Sequence, residues 1–142
     1  MPETNIAAAL AQATSPVILI SAVGLLLLTM NNRLMHSVDR ARALKKEMRG
    51  ASANEQDKLG KQIAVIYERA GHVRRGIESA VLSALCSSGL VATLFHEAVT
   101  GTHSPRIVTV LVIGAVAFLA LALIWLILDV RRGLTALALE VQ

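Results

Sequence analysis

The chain contains little of several residue types on which enzymes and nucleic-acid-binding proteins depend. It has one cysteine, Cys86, among 142 residues, and aromatic residues make up 3% of the total. One cysteine cannot form a disulfide within the chain, and its position inside an apolar segment does not suggest a catalytic thiolate, so we interpret Cys86 as a small packing residue. Because no aromatic platform accompanies the basic residues, and acidic residues are interspersed among them, we expect no nucleic-acid partner.

The sequence also lacks the motifs of common catalytic sites: a glycine-rich phosphate loop, a Ser-His-Asp arrangement or paired carboxylates at a useful spacing. The segment FHEAVTGTH at 95–103 differs from the zinc motif H-E-x-x-H because its residue 100 is threonine. His96, Glu97 and His103 could still bind a divalent cation, or they could simply end a membrane span at the level of the headgroups. We therefore expect no enzymatic activity and no cofactor.

Apolar residues are abundant: they make up 54% of the chain, against 17% charged residues, which indicates a membrane protein. Residues 107–128 carry no charge, and as a helix they are long enough for the ~30 Å hydrocarbon core of a bilayer. Residues 79–95 form a second uncharged segment, and residues 16–30 form a shorter one. We predict one all-α integral membrane domain in a lipid bilayer, with transmembrane helices at about 10–31, 77–98 and 107–129.

The start of the first span has two interpretations. The helix can continue from residues 6–15 with a kink at Pro16, or Pro16 can lie in the first turn with Ser15 as the cap and the preceding segment along the interface. The first fifteen residues contain no lysine or arginine, and no small-residue cleavage site follows the apolar run. We therefore expect the segment to stay in the mature protein rather than to act as a cleavable signal peptide.

The basic residues are distributed unevenly around the spans. Of fourteen lysines and arginines, eleven lie within residues 33–75, Arg131 and Arg132 follow the last span, and Arg106 lies in the loop before it. Positive charge marks the cytoplasmic side of a membrane protein. We therefore expect the N-terminus outside, and segment 32–76 and the C-terminus in the cytoplasm.

Apolar residues recur at helical spacing on both halves of segment 32–76. They are Leu34, Val38, Ala41, Leu44 and Met48 in the first half, and Leu59, Ile63, Ile66, Ala70, Val73 and Ile77 in the second. Between the halves, Gly50 can end a helix in a left-handed conformation, and Ser52 with Glu55 matches a capping box. The pattern predicts that the first two transmembrane helices extend into a cytoplasmic antiparallel hairpin. Because two helices cannot bury both stripes completely, we expect a homo-oligomer.

Three serines of the second span lie four residues apart and therefore on one helix face. They could let helices approach closely and hydrogen-bond, or they could line a pore between several copies of the chain. The candidate pore-lining residues are Ser79, Ser83, Ser87, Glu78, Asn31, Asn32 and Arg33. Our leading hypothesis is an oligomeric channel for ions or small solutes. The alternative is a non-conducting scaffold or regulatory protein whose basic hairpin binds anionic lipid or a cytoplasmic protein partner.

Four sequence segments together resemble a family of small bacterial inner-membrane proteins of unknown function. They are NRLMHSVDRAR after the first span, RRGIESA before the second, LF at the end of the second, and LILDVRRGL at the end of the third. The resemblance covers about residues 5–138 and implies three spans in the inner membrane, but no activity. The last segment departs from the expected pattern, which has a glutamate near the first arginine, so the resemblance assigns no role to Asp129.

The predicted topology can be tested with a reporter domain that is active only in the cytoplasm. Because positive charge marks the cytoplasmic side, the reporter should be active when inserted at Ser52 or fused after Gln142, and inactive when inserted at Gly101. Reporter activity in cells is the measurement. An active fusion at Gly101 would contradict the three-span arrangement.

Overall fold

The protein consists of three long helices joined by short turns. The computed structural model describes the backbone of residues 2–140 and the side chains of residues 7, 8 and 10–131. The helices are α1 (Pro2–Met48), α2 (Ala53–Thr100) and α3 (Pro105–Glu140), and residues 2–140 include no strand. Each helix has a segment long and apolar enough to cross a membrane. The chain is therefore an all-α, multi-pass membrane protein, as the sequence predicted.

Helix α1 runs through Pro16 without interruption. Of the two interpretations of the first span, the structure matches the continuous helix, and the alternative in which Ser15 caps a helix starting at Pro16 is wrong. Ala13, Pro16 and Val23 are all buried. The face that packs against the other helices therefore continues across the proline, and this packing offsets the backbone hydrogen bond that proline cannot donate.

The turn after α1 differs from the one expected. The amides of Arg49 and Gly50 donate to the carbonyls of Lys46 and Glu47, three residues back, at 3.3 and 3.2 Å, so a tight 3₁₀-type turn ends the helix. The prediction that Gly50 is left-handed is wrong. The left-handed glycine is Gly101, with φ of 70°, which ends α2.

The capping box at the start of α2 is confirmed, with one difference in its bonding. The Ser52 amide donates to Glu55 Oε2 at 2.9 Å, as the motif requires. The Ser52 hydroxyl also donates to that oxygen, at 2.7 Å, instead of accepting a backbone amide. The Ser52 carbonyl accepts the amide of Gln56 at 2.9 Å and begins the helical ladder.

The chain divides into two compact units, each containing parts of all three helices. Unit 1 comprises Met1–Leu27 and Glu78–Ala122. Its core is formed by Val23, Ala80 and Ala122, one from each helix, all with no exposed surface. Two of the three are alanines, and small residues let membrane helices pack closely.

Unit 2 comprises Leu28–Ile77 and Leu123–Gln142, and it includes the hairpin of α1 and α2. Every residue of the two predicted apolar stripes is buried or half-buried, which confirms that both stripes face inward. Leu44 and Val73 are the most enclosed, with 3% and 2% of their surface exposed. Burying such a side chain contributes about 1.5–3 kcal/mol to stability.

A charge in the hairpin core should be far more harmful than the same charge on its surface. Val73→Asp would bury an unpaired carboxylate, which costs several kcal/mol, so the unfolding temperature in detergent should fall markedly. Val65 is the matched control because it lies on the same helix with 55% of its surface exposed. Val65→Asp should change the unfolding temperature little. Equal losses in the two variants would contradict the inward direction of the stripe.

Candidate functional site: an arginine cluster around a buried carboxylate

Helix α3 carries a buried acidic residue, Asp129, close to the end of its apolar segment. Asp129 has 4% of its surface exposed, and a buried charge needs a partner. The partner is Arg33 on α1, whose Nη1 donates to Asp129 Oδ2 at 2.7 Å. Arg33 lies one turn beyond Met30, the last residue of the first apolar run. The ion pair therefore joins the first and third helices where both leave their apolar segments.

A second arginine, Arg69 on α2, reaches the same carboxylate without completing a hydrogen bond. Its Nε lies 3.8 Å from Asp129 Oδ1, within ion-pair distance but too far for a hydrogen bond. This Nε is buried and has no hydrogen-bond partner among the described residues. An unsatisfied buried donor costs about 1–3 kcal/mol. The cluster thus holds one donor that no described residue uses.

The arginines and the carboxylate lie along an open cleft of about 450 Å³ in unit 2. Its polar lining comprises Asn32, Arg33, His36, Ser37 and Arg40 of α1, Arg69 of α2 and Asp129 of α3. Residues 33, 36 and 40 are three and four positions apart, so α1 presents them on one face. Three arginines and one aspartate give the cleft a formal excess of two positive charges. We call this group the arginine cleft.

The sole tryptophan lies one helical turn before Asp129. The ring of Trp125 lies 5.5 Å from the ring of His72, and the Arg75 guanidinium lies 5.4 Å from its centroid, a cation–π distance. A Cβ at Gly76 would collide with the Met30 methyl group and lie 3.2 Å from Trp125 Cβ. Glycine at position 76 therefore lets α2 approach both neighbouring helices beside the cleft.

The serines considered as pore-lining residues are used inside the single chain. Ser83 and Ser87 have no exposed surface, and Ser79 is half-buried. The Ser83 hydroxyl donates to the Ala115 carbonyl on α3 at 2.7 Å, and the Ser87 hydroxyl donates to the Ser83 carbonyl at 3.0 Å. This arrangement matches the interpretation in which the three serines let helices approach closely and hydrogen-bond. The pore function itself stays a prediction.

The structure separates the remaining pore candidates. Asn32 and Arg33 line the arginine cleft, whereas Asn31 is exposed and is not part of its lining. Glu78 is exposed and belongs to unit 1. Only two of the seven candidates therefore contribute to one site.

The three residues considered as metal ligands lie at the turn between α2 and α3. Glu97 Oε1 accepts the Ser104 amide at 2.6 Å, and His103 Nδ1 lies 3.9 Å from Glu97 Oε2. His96 is exposed. Among the described residues, no three potential ligands come together in a way that could hold a metal ion. Glu97 anchors the turn, which is a structural role.

Sequence reasoning selected Arg33 and Asn32 but missed the other charged residues of the cleft. The spacing of Arg33, His36 and Arg40 on one helix face was visible in the sequence and could have indicated a basic surface. No local signal connects Arg69 or Asp129 to that face, because they lie on other helices. Arg132, which follows Arg131 after the last span, lies outside the described side chains.

A double-mutant cycle should reveal how the ion pair contributes to stability. Arg33→Gln leaves a buried carboxylate with only the distant Arg69, so it should cost about 3–5 kcal/mol. Asp129→Asn should cost less, because 42% of the Arg33 side chain is exposed and water can solvate its charge. The double variant should lose less than the sum of the single variants. Additive losses in unfolding experiments in detergent would contradict the pairing.

Comparison with known proteins gives one match. No curated protein and no solved structure matches the chain. A family model described as protein of unknown function (DUF2721) matches residues 13–139. The matched range includes the three apolar segments, the hairpin and all the residues of the arginine cleft, and it confirms the family resemblance in the sequence. The chain belongs to the DUF2721 family.

Proposed function

We propose that the protein is a non-conducting scaffold or regulatory protein of the bacterial inner membrane that binds anionic lipid at the base of its hairpin. The observation that carries the proposal is the arginine cleft, in which Arg33 and Arg69 pair with one buried carboxylate and Arg40 lines the same cavity. Arginine suits phosphate recognition because its planar guanidinium can donate two parallel hydrogen bonds. The cleft lies within one chain, so lipid binding does not depend on the predicted homo-oligomer.

The position of the cleft along α1 supports a lipid ligand. At ~1.5 Å per residue, Arg33 lies ~5 Å and Arg40 ~15 Å beyond Met30. Helix side chains lean toward the N-terminus, so the Arg40 side chain is directed back toward the membrane. Asp129 lies at a similar boundary on α3. In this proposal Arg33 and Asp129 lie beside the polar headgroups, and the Arg40 side chain reaches back toward them from the cytoplasmic side.

The charge distribution favours the cytoplasmic leaflet. The positive-inside rule assigns the hairpin and the C-terminus to the cytoplasm, and anionic lipids give that leaflet a negative surface potential. Each lysine or arginine near such a surface contributes about 1 kcal/mol to binding. The orientation is part of the proposal, and the reporter fusions test it independently.

The contacts of the serines support a non-conducting protein. A pore would need the hydroxyls of Ser83 and Ser87 to face water, but both are buried and donate to carbonyls of the same chain. The oligomeric channel is the competing proposal. A channel would require a pore lined by residues other than Ser83 and Ser87, on surfaces that are exposed in a single copy of the chain.

Two variants that each remove one positive charge from α1 test lipid binding. Arg40→Gln changes the cleft, whereas Lys46→Gln changes an exposed residue ~24 Å beyond Met30, outside the headgroup layer. Phosphatidylglycerol retained by the purified protein should fall severalfold in the first variant and stay constant in the second. Mass spectrometry of bound lipids measures the difference. Equal retention in both variants would remove the cleft as the lipid site.

Ion flux separates the proposal from the channel hypothesis. Liposomes containing the purified protein should show no more flux than protein-free liposomes of the same composition, because the hydroxyls of Ser83 and Ser87 are buried and donate to carbonyls of the same chain. Steady flux that depends on the amount of wild-type protein would contradict a non-conducting scaffold.

A further inference from the structure

We infer that the arginine cleft is a site for one phosphomonoester group, held by Arg40 and Arg69 and supplied by a phosphatidate-type lipid headgroup. The inference rests on the proposed lipid binding and makes it more specific. It names the chemical group and the side chains that select it. A general attraction between a basic hairpin and an anionic surface would need neither.

The first argument is the unused donor of Arg69. Arg69 lines the cleft, and its Nε is buried without a hydrogen-bond partner among the described residues; Asp129 Oδ1, with which it forms an ion pair, is 3.8 Å away. Buried donors of this kind are rare and call for a ligand or another partner. Part of the Arg69 side chain is exposed, so a small rotation of its guanidinium toward the cleft would let a phosphate oxygen accept from the Nε in a charge-assisted hydrogen bond, which is stronger than a neutral one.

The second argument is the charge balance of the cleft. The Asp129 carboxylate compensates one arginine through its 2.7 Å bond with Arg33. Three arginines against one aspartate leave two positive charges in excess, and none of the ion pairs among the described residues involves Arg40. A phosphomonoester carries a charge of about −1.5 to −2 near neutral pH, which matches this excess. A phosphodiester or a carboxylate carries one negative charge and would leave part of the excess uncompensated.

The third argument is the shape and surroundings of the cleft. At about 450 Å³ it is in the size range of small-molecule sites and is open on one side. Asn32 and His36 are exposed at its lining and can donate hydrogen bonds to the remaining phosphate oxygens. Ile66 of α2 also lines the cleft. Its apolar side chain offers the start of an acyl chain a surface within the charged site.

Asp129 has a second effect in this arrangement, because its negative charge opposes any anion in the cleft. Removing that charge should therefore tighten binding, while removing Arg69 should weaken it. A residue with a purely structural role would weaken binding when changed, since loss of structure cannot improve a site. The direction of the Asp129→Asn effect thus reports on the electrostatics of the cleft.

The test compares lipids that differ in their phosphate chemistry. Full-length protein in phosphatidylcholine nanodiscs is mixed with phosphatidate or phosphatidylglycerol, and bound lipid is counted by native mass spectrometry. We expect phosphatidate to bind about fivefold more tightly than phosphatidylglycerol, because only the monoester can engage both arginines fully. Asp129→Asn should strengthen phosphatidate binding. Equal affinity for the two lipids, or weaker binding to correctly folded Asp129→Asn, would overturn the inference.

The variants at position 69 keep the test decisive if one of them folds poorly. Arg69→Gln should abolish the preference for phosphatidate. Arg69→Lys keeps the charge but lacks the Nε donor and the planar fork, so it should retain phosphatidylglycerol binding and lose the preference. Lys46→Gln is the charge control and should leave the preference unchanged. A preference that persists in folded Arg69→Lys would contradict the assignment of Nε.

Inorganic phosphate distinguishes the two sources of the group. If millimolar phosphate displaces phosphatidate, the cleft recognises the phosphate group alone and the free ion is also a ligand. If it does not, the acyl chains contribute and the lipid is the ligand. Either result supports a phosphomonoester site. Binding of both anionic lipids that depends on Arg40 but shows no preference would overturn this inference while leaving the proposed function intact, whereas no anionic lipid binding would overturn both.

Discussion

The ion pair between Arg33 and Asp129 is the constraint on which the arrangement of the cleft depends. A carboxylate with 4% of its surface exposed at the end of an apolar helix needs a close partner for its charge. Arg33 supplies that partner through a 2.7 Å bond, which fixes α3 against α1 where both leave the apolar region. The Nε of Arg69 lies 3.8 Å from the same carboxylate, whose single negative charge is already paired with Arg33. The cleft remains basic because one carboxylate serves two arginines.

Periodicity in the sequence was enough to predict the helices and the inward faces of the hairpin. The stripes at three- and four-residue spacing lie inside, with Leu44 and Val73 almost fully enclosed, because a helix places such residues on one face whatever else the chain does. The residues that usually mark helix ends were less reliable guides to structure. Gly50 can adopt a left-handed conformation, but the short turn is closed by two backbone hydrogen bonds that do not require it. Pro16 did not begin a helix because burial on both sides of it favours continuation.

The site was less predictable than the fold because its members come from different helices. Arg33, His36 and Arg40 form a local pattern, but Arg69 and Asp129 become their neighbours only through tertiary packing. For Ser79, Ser83 and Ser87 the pattern was visible in the sequence, but the environment of the side chains was not. Their spacing was clear, yet hydroxyls on one face are equally suited to water and to a neighbouring backbone. The bond from Ser83 to the Ala115 carbonyl distinguishes the two environments, and that acceptor lies on another helix.

The absence of any break between the first apolar run and the charged residues that follow it has a consequence for the backbone. Helix α1 is continuous over 47 residues, from Pro2 to Met48. A helix end leaves up to four amides or four carbonyls without a partner in the helix, and each such group is costly in a lipid environment. No helix end lies between Met30 and Arg33, so the backbone carries no such groups where the apolar run stops. The change from apolar to charged surroundings is therefore made by side chains alone.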